Sequence, residues 1–190
     1  MRVHLPILYT LPGHEEEGRK VKIECEEPVI FLAGPIRNAP DWHSEAITLL
    51  YRRAPHHIFV ASPRRSIDKK LMKFVESDNE LYETFPRQRA WEQYYLDRAS
   101  RRGCIIFWLP APSRVKEDPE KVYGHITQME FGEWVARKHA RPETRLVIGT
   151  DGFYPEWSTM LFELQTELPE LPIYTTLMGA VKAAVAIAQE

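Results

Sequence analysis

The feature that most constrains the fold is the segment at residues 104–109, which reads Cys-Ile-Ile-Phe-Trp-Leu and is apolar at every position. A strand with one face in water alternates apolar and polar residues, whereas a strand covered on both faces can be apolar throughout. The sequence therefore predicts the central strand of a sheet that carries helices on both faces.

The rest of the chain fits such a sheet. From Pro28 onward, short β-branched and aromatic runs alternate with longer amphipathic stretches, which is typical of βα units. We predict a doubly wound α/β domain, Rossmann-like or flavodoxin-like, with a mostly parallel five-stranded sheet. The predicted strands are 29–33, 58–61, 104–109, 146–149 and 172–174, and the predicted helices are 41–53, 86–102, 127–139 and 177–189.

Length and composition indicate a single domain over residues 1–190. Residues 1–27 are predicted to be an N-terminal extension with candidate strands at 5–10 and 20–23, a hairpin, ahead of a core at 28–190. The segments 68–84 and 110–124 are predicted to be long surface loops, which are often functional.

Charge and cysteine usage limit the class of protein. Apolar residues make up 44% of the chain, charged residues 27%, and the net charge is −2, which favours a globular protein that does not coat a nucleic acid polymer. Cys25 and Cys104 show neither zinc-ligand nor disulfide spacing, so a reducing cytoplasm is expected. The layout of a signal peptide and an apolar run long enough for a membrane are both missing from the sequence, so no membrane association is expected.

The residues after each predicted strand should meet at one edge of the sheet, where ligands of parallel sheets bind. Gly34, Pro35, Ile36 and Arg37 follow the first strand, and residues 62–65 follow the second. Glycine allows close approach to the backbone, and arginine can hold an anionic or polyhydroxyl group. For Arg37 and Arg64, solvated surface charge is the alternative interpretation.

Glu130 admits two interpretations. Thr127 followed by Glu130 three residues later matches a reciprocal helix cap. A carboxylate in the first turn of a helix is also kept ionised by the helix dipole, as a nucleophile requires. Gly132, a glycine inside a predicted helix, suggests that something packs closely beside Glu130.

A second carboxylate, Glu92, lies among aromatic residues of the preceding predicted helix. Partial burial against Trp91 would favour its protonated form, while Glu130 would stay ionised. Two carboxyl groups in opposed environments suit cleavage at an anomeric carbon. The alternative is that Glu92 belongs to an ordinary polar helix face.

Three segments together resemble the nucleoside 2-deoxyribosyltransferase family, which includes related deoxynucleotide N-glycosidases. They are Ile30-Phe31-Leu32-Ala33-Gly34-Pro35-Ile36-Arg37 followed by Trp42, then residues 104–110, then Met129-Glu130-Phe131-Gly132. The resemblance implies that Glu130 is a covalent nucleophile and that the Gly34 to Arg37 loop holds the sugar.

The resemblance also implies an acidic residue late in the helix before the central strand. Counted back from Gly103, the position of the family's acidic residue falls near Tyr95. For this role we choose Glu92, which is adjacent to Trp91, over Asp97. The family's loop aspartate has no counterpart, because this chain offers Tyr123, Gly124 and His125 there and Asp118 lies far away. Trp42, Trp91 and Met129 are expected to bind substrate.

The expected function is transfer of a 2-deoxyribosyl group between purine or pyrimidine bases, without cofactor or metal. Nucleosides and free nucleobases would be the partners. The alternatives are an N-glycosidase acting on deoxynucleosides or their 5′-monophosphates, and a non-catalytic nucleotide-binding module. A homo-oligomer is expected through Trp157, Met160, Leu161, Phe162 and the 177–189 helix, unless that region only covers its own sheet.

Overall fold

The computed structural model describes residues 2–4, 27–54, 58–64, 85–114 and 119–190. The candidate strands at 5–10 and 20–23 and their hairpin, the loop at 68–84, and Asp118 all lie outside the described residues.

The described residues form one sheet in which every neighbouring pair of strands is parallel. In chain order the strands are β1 (Arg2–His4), β2 (Val29–Ala33), β3 (Phe59–Ala61), β4 (Gly103–Leu109), β5 (Leu146–Thr150) and β6 (Ile173–Tyr174). The order across the sheet is β1-β3-β2-β4-β5-β6. The five predicted strands and the doubly wound fold are confirmed. The predicted sheet lacked β1, which adds an edge beside β3 and pairs Arg2 with Phe59.

Five helices connect and cover these strands in the described part of the chain. They are α1 (Trp42–Arg53), α2 (Phe85–Arg101), α3 (His125–Ala140), α4 (Trp157–Glu167) and α5 (Leu177–Ala188). Asp41 caps α1 by accepting a hydrogen bond from the Ser44 amide. The sequence did not predict α4. Within the described residues, every helix is too short or too polar to cross a membrane.

The strands are covered on both faces, as the pattern of residues 104–109 predicts. Every residue of β2, β4 and β5 is buried. Ile30, Leu32 and Ile106 pack with α1 and α5 on one face of the sheet. Phe31 and Phe107 pack with α2 and α3 on the other.

The strand order creates a switch point between β2 and β4. The chain leaves β2 toward β3 on one side and leaves β4 toward β5 on the other, so the loops after β2 and β4 diverge. A crevice at the carboxyl ends of such strands is where open α/β sheets bind ligands. The start of α3 lies at this edge, because the Tyr123 hydroxyl just before it donates to the Pro110 carbonyl at the end of β4, at 2.8 Å.

Candidate functional site

Arg89 links the two carboxyl groups that the sequence singles out. Its Nη1 atom donates to Glu92 Oε2 at 3.1 Å within α2, and the same nitrogen donates to Glu130 Oε1 on α3. The side chains of Glu92 and Glu130 are each 15% exposed and that of Arg89 is 29% exposed, so all three retain some access to solvent. Folding therefore brings two carboxyl groups from different helices onto one cation.

Glu92 is the acidic residue of α2 that meets Glu130. Asp97, the alternative, forms an exposed ion pair with Arg101 toward the end of the helix. Tyr95, where the family offset falls, is 2% exposed and belongs to the core. Of these two acidic residues of α2, Glu92 shares the Arg89 contact with Glu130 and Asp97 does not.

Burial dominates the electrostatics of Glu130. It raises the pKa of the Glu130 carboxyl, and the nearby charges of Glu92 and Glu133 add to the rise. The hydrogen bond and positive charge of Arg89 act in the opposite direction without cancelling it. The expectation that the helix terminus keeps Glu130 readily ionised is therefore wrong, and Arg89 is the group that favours its charged form.

The predicted capping role of Glu130 is also wrong. The N-cap of α3 is Gly124, in the left-handed conformation with φ 68°, and no side chain caps this end of the helix. Because α3 begins at His125, Thr127 lies inside the first turn and Glu130 lies in the second. No acidic residue occupies the first turn of α3. The structural contact that Glu130 does make is its ion pair with Arg89.

Two contacts fix the start of α3 and hence the position of Glu130. The hydroxyl of the buried Tyr154 donates to the Gly124 carbonyl at 3.0 Å. The Asp151 carboxylate accepts a hydrogen bond from the Ala111 amide at 2.8 Å, which ties the end of β5 to the loop after β4. No local sequence pattern predicts the contact between Asp151 and Ala111, which lie 40 positions apart.

The Gly34 to Arg37 loop has a fixed shape. A Cβ on Gly34, whose φ is 150°, would lie 2.3 Å from the Trp108 carbonyl oxygen, so the close approach that requires glycine comes from β4 of the chain itself. The Trp42 indole donates to the Pro35 carbonyl at 2.9 Å. Arg37 is exposed and remains a candidate for binding substrate.

A further contact ties this loop to the opposite side of the crevice. The Ser113 amide donates to the carbonyl of Asn38 at 2.7 Å, and Asn38 itself has φ 59° and is buried. The loops after β2 and β4 are therefore held together across the switch point.

Two predicted substrate contacts are core residues instead. Trp91 is fully buried and packs on Tyr95 with ring centroids 4.8 Å apart, and Trp42 is 2% exposed and packs on His43. Neither indole presents surface to a ligand in this structure, so they support the site from beneath. Met129, by contrast, is 66% exposed next to Glu130.

Two smaller expectations also change. Arg64 Nη1 pairs with Asp41 Oδ1 at 2.9 Å, so this arginine joins the loop after β3 to the start of α1. Gly132 is exposed, and among the described residues a Cβ there would meet no atom within 4 Å. The expected close packing at Gly132 is absent from the described structure.

The predicted oligomer surface contains a part that is buried within the protein and a part that is exposed. The apolar residues of α5 face α1 and the sheet, so this helix covers its own core. On α4, Phe162 is 68% exposed and only Leu164 is buried. The described residues contain no group of three or more histidine, cysteine, aspartate or glutamate side chains arranged to hold a metal ion.

Comparisons with known proteins show neither a family nor an activity. No family model matches the chain. The chain is 30% identical over 95 residues to gibberellin 20 oxidase 4 of Arabidopsis thaliana. This match covers 50% of the chain and 24% of the oxidase, so the chain spans about a quarter of that protein's length.

Proposed function

We propose that this protein is a nucleoside 2-deoxyribosyltransferase, which moves a 2-deoxyribosyl group from one purine or pyrimidine base to another. The observation that carries the proposal is the contact of Glu92 and Glu130 with a single nitrogen of Arg89, at the edge where a doubly wound sheet binds ligands. The resemblance of the Gly34 loop and the Glu130 segment to that family supplies the substrate class.

The spacing of the two carboxyl groups favours a covalent intermediate. Oxygens that contact one nitrogen atom are close together, as in glycosidases that retain configuration, where the carboxyl groups are about 5–5.5 Å apart. A water molecule placed between the groups needs a separation of roughly 6.5–9.5 Å. Direct attack of the Glu130 carboxylate on the sugar is therefore the better fit.

In the first step, ionised Glu130 attacks the anomeric carbon C1′ of the deoxynucleoside. A C1′–O bond forms, the C1′–N bond breaks, and its electron pair leaves with the base. Protonated Glu92 supplies the proton that the departing base takes up. The products are a free nucleobase and a deoxyribosyl ester on Glu130.

In the second step, an incoming base attacks C1′ of the ester and a new C1′–N bond forms. The C1′–O bond breaks and its electron pair returns to Glu130 as a carboxylate, while Glu92 takes the proton of the incoming base. Water in place of the base would yield deoxyribose, so the same groups would make an N-glycosidase if the crevice admits water. This hydrolase is the second candidate function, and the observation that favours it is the 15% exposure of the Glu130 side chain, which leaves it within reach of solvent. The scheme uses no cofactor or metal.

The first test is product analysis by mass spectrometry after incubation with deoxyadenosine and cytosine. Transfer yields deoxycytidine and adenine, and hydrolysis yields deoxyribose and adenine. Intact nucleoside, bound but unconverted, would contradict both and indicate a non-catalytic binding module.

The Glu130→Ala variant should lose both transfer and hydrolysis while keeping the circular dichroism of the folded protein. Glu167→Ala is the control, because Glu167 is also a glutamate, lies on α4, is 49% exposed and contacts His139 of α3. Normal exchange by folded Glu130→Ala would refute the role of Glu130.

Assembly and location belong to the same proposal. We propose a homo-oligomer that contacts through α4 around the exposed Phe162, which light scattering can check. We also propose a cytoplasmic location, since the buried thiol of Cys104 is free.

A further inference from the structure

Arg89 has one positive charge and two carboxyl partners, and both partners contact the same atom of its side chain. Nη1 donates to Oε2 of Glu92 and to Oε1 of Glu130. Arg89 keeps its charge, because these two hydrogen-bonded carboxylates raise its pKa even though burial opposes the charged form. A permanent cation therefore lies between the two groups that the proposed reaction uses.

We propose that Arg89 is a positioning residue whose ion pair passes from Glu130 to Glu92 while the deoxyribosyl ester forms. The proposal rests on the proposed function. In the form that reacts in this scheme, Glu130 is the carboxylate that Arg89 balances and Glu92 holds the proton. After the step, Glu130 is a neutral ester and Glu92, having given its proton to the leaving base, is the carboxylate.

The geometry makes this exchange of partners possible without displacing a side chain. Because one nitrogen already contacts both groups, the cation is in place for the charge as it appears on Glu92. The sum of charges on the three groups stays at zero through the step, so no unpaired charge arises in a partly buried site. Preorganised charge of this kind stabilises a transition state without reorganisation.

The groups that face Glu130 define what a substitution should do. Among the described residues these are Arg89 and Glu92 on α2 and Glu133 on α3. Arg89 is the one group among them that favours the Glu130 carboxylate, whereas burial and the two acidic residues disfavour it. Removing the cation should therefore require a higher pH to ionise the nucleophile.

The experiment compares Arg89→Met, which keeps the length of the stem, with Arg89→Lys, which keeps a charge. Formation of the deoxyribosyl enzyme in a single turnover should slow about 100- to 1000-fold in Arg89→Met. The acid limb of its pH–rate profile should move to higher pH. Arg89→Lys should restore the position of that limb but only part of the rate, because a single ammonium cannot reproduce the guanidinium geometry.

Arg101→Met is the matched control, because Arg101 lies on the same helix and forms an exposed ion pair with Asp97. Its rate and pH profile should equal those of the wild type. A second readout that needs no activity is a carbon-13 titration of the Glu130 carboxyl by NMR, which should move to higher pH in Arg89→Met and stay in place in Arg101→Met.

The outcomes separate the inference from the function on which it rests. A wild-type protein that neither exchanges nor hydrolyses nucleosides overturns the proposed function and the inference with it. An active wild type whose Arg89→Met variant is slow but titrates at unchanged pH overturns the inference alone, because Arg89 would then only support the fold.

Discussion

Replacing Gly124 by alanine should disturb the start of α3 and, through it, the position of Glu130. Gly124 is the N-cap of α3 and adopts φ 68°, which an L-residue rarely adopts. An added Cβ would lie 2.1 Å from Oη and 2.8 Å from Cζ of Tyr154, whose ring is 3% exposed. Neither the backbone angle nor the buried ring can change without raising the free energy of the folded state.

The expected loss of stability is a sum of three contributions. The left-handed conformation costs alanine about 1–2 kcal/mol. Loss of the 3.0 Å hydrogen bond from the Tyr154 hydroxyl to the Gly124 carbonyl costs about 1 kcal/mol. Displacing the buried ring adds about 1–3 kcal/mol of packing strain. Gly124→Ala should therefore lower the free energy of unfolding by about 3–6 kcal/mol.

Gly152 provides the matched control. Its φ is 86°, and among the described residues a Cβ there would meet no atom within 4 Å. Gly152→Ala should therefore cost only the backbone contribution, about 1–2 kcal/mol. Urea unfolding followed by circular dichroism measures both variants on the same scale.

A double variant tests the steric contribution directly. In Gly124→Ala with Tyr154→Phe the contact at Oη is gone, so the pair should lose less stability than the sum of the two single variants. Equal costs for Gly124→Ala and Gly152→Ala, or strict additivity in the double variant, would refute the reasoning. Transfer activity should also fall more in Gly124→Ala than in Gly152→Ala.

Two further predictions concern the Gly34 to Arg37 loop and Glu130. In Gly34→Ala the new Cβ would lie 2.3 Å from the Trp108 carbonyl oxygen and 2.7 Å from the Trp42 ring. This variant should therefore lose about 2–4 kcal/mol of stability in urea unfolding and bind nucleoside more weakly in calorimetry. An unchanged unfolding midpoint and an unchanged affinity would contradict this prediction. Glu130→Gln should be more stable than the wild type at pH 7 but no more stable near pH 4. Because the pKa of Glu130 is raised in the folded protein, its contribution to stability is present below the ordinary carboxyl pKa of 4.5 and is lost as pH rises through the folded value. In thermal melts between pH 4 and 7, the melting temperature of Glu130→Gln should therefore rise further above that of the wild type as the pH increases.

Much of the fold could be predicted because β-strand burial leaves a local signal. Residues 104–109 are apolar at every position, and β4 is indeed covered on both faces. Helix α4 gave no such signal, because only Leu164 of its residues is buried and no apolar stripe marks it. The start of α3 was misplaced because a left-handed glycine, rather than the side chain of Thr127, precedes it.

The site could be predicted only in part. Glu92 and Glu130 were singled out from their neighbours and from a family resemblance. Arg89 was missed, although its position three residues before Glu92 is typical of a helix ion pair. Its second contact, with a residue 41 positions later, depends on how α2 and α3 pack, and no local pattern encodes that. For the same reason the direction of the Glu130 pKa shift was wrong, since burial is a tertiary property.

The position of α5 has a consequence for how the protein reaches its native state during synthesis. This helix covers the middle of the sheet, where Ile30, Leu32 and Ile106 lie, yet it follows the six strands of the described structure in the chain. β2 also cannot pair with β4 until β4 has been synthesised, because Val29 pairs with Gly103. A ribosome-bound chain that lacks α5 therefore holds an uncovered apolar surface, so folding should finish only after α5 has left the ribosome, and chaperones that shield apolar segments should matter until then.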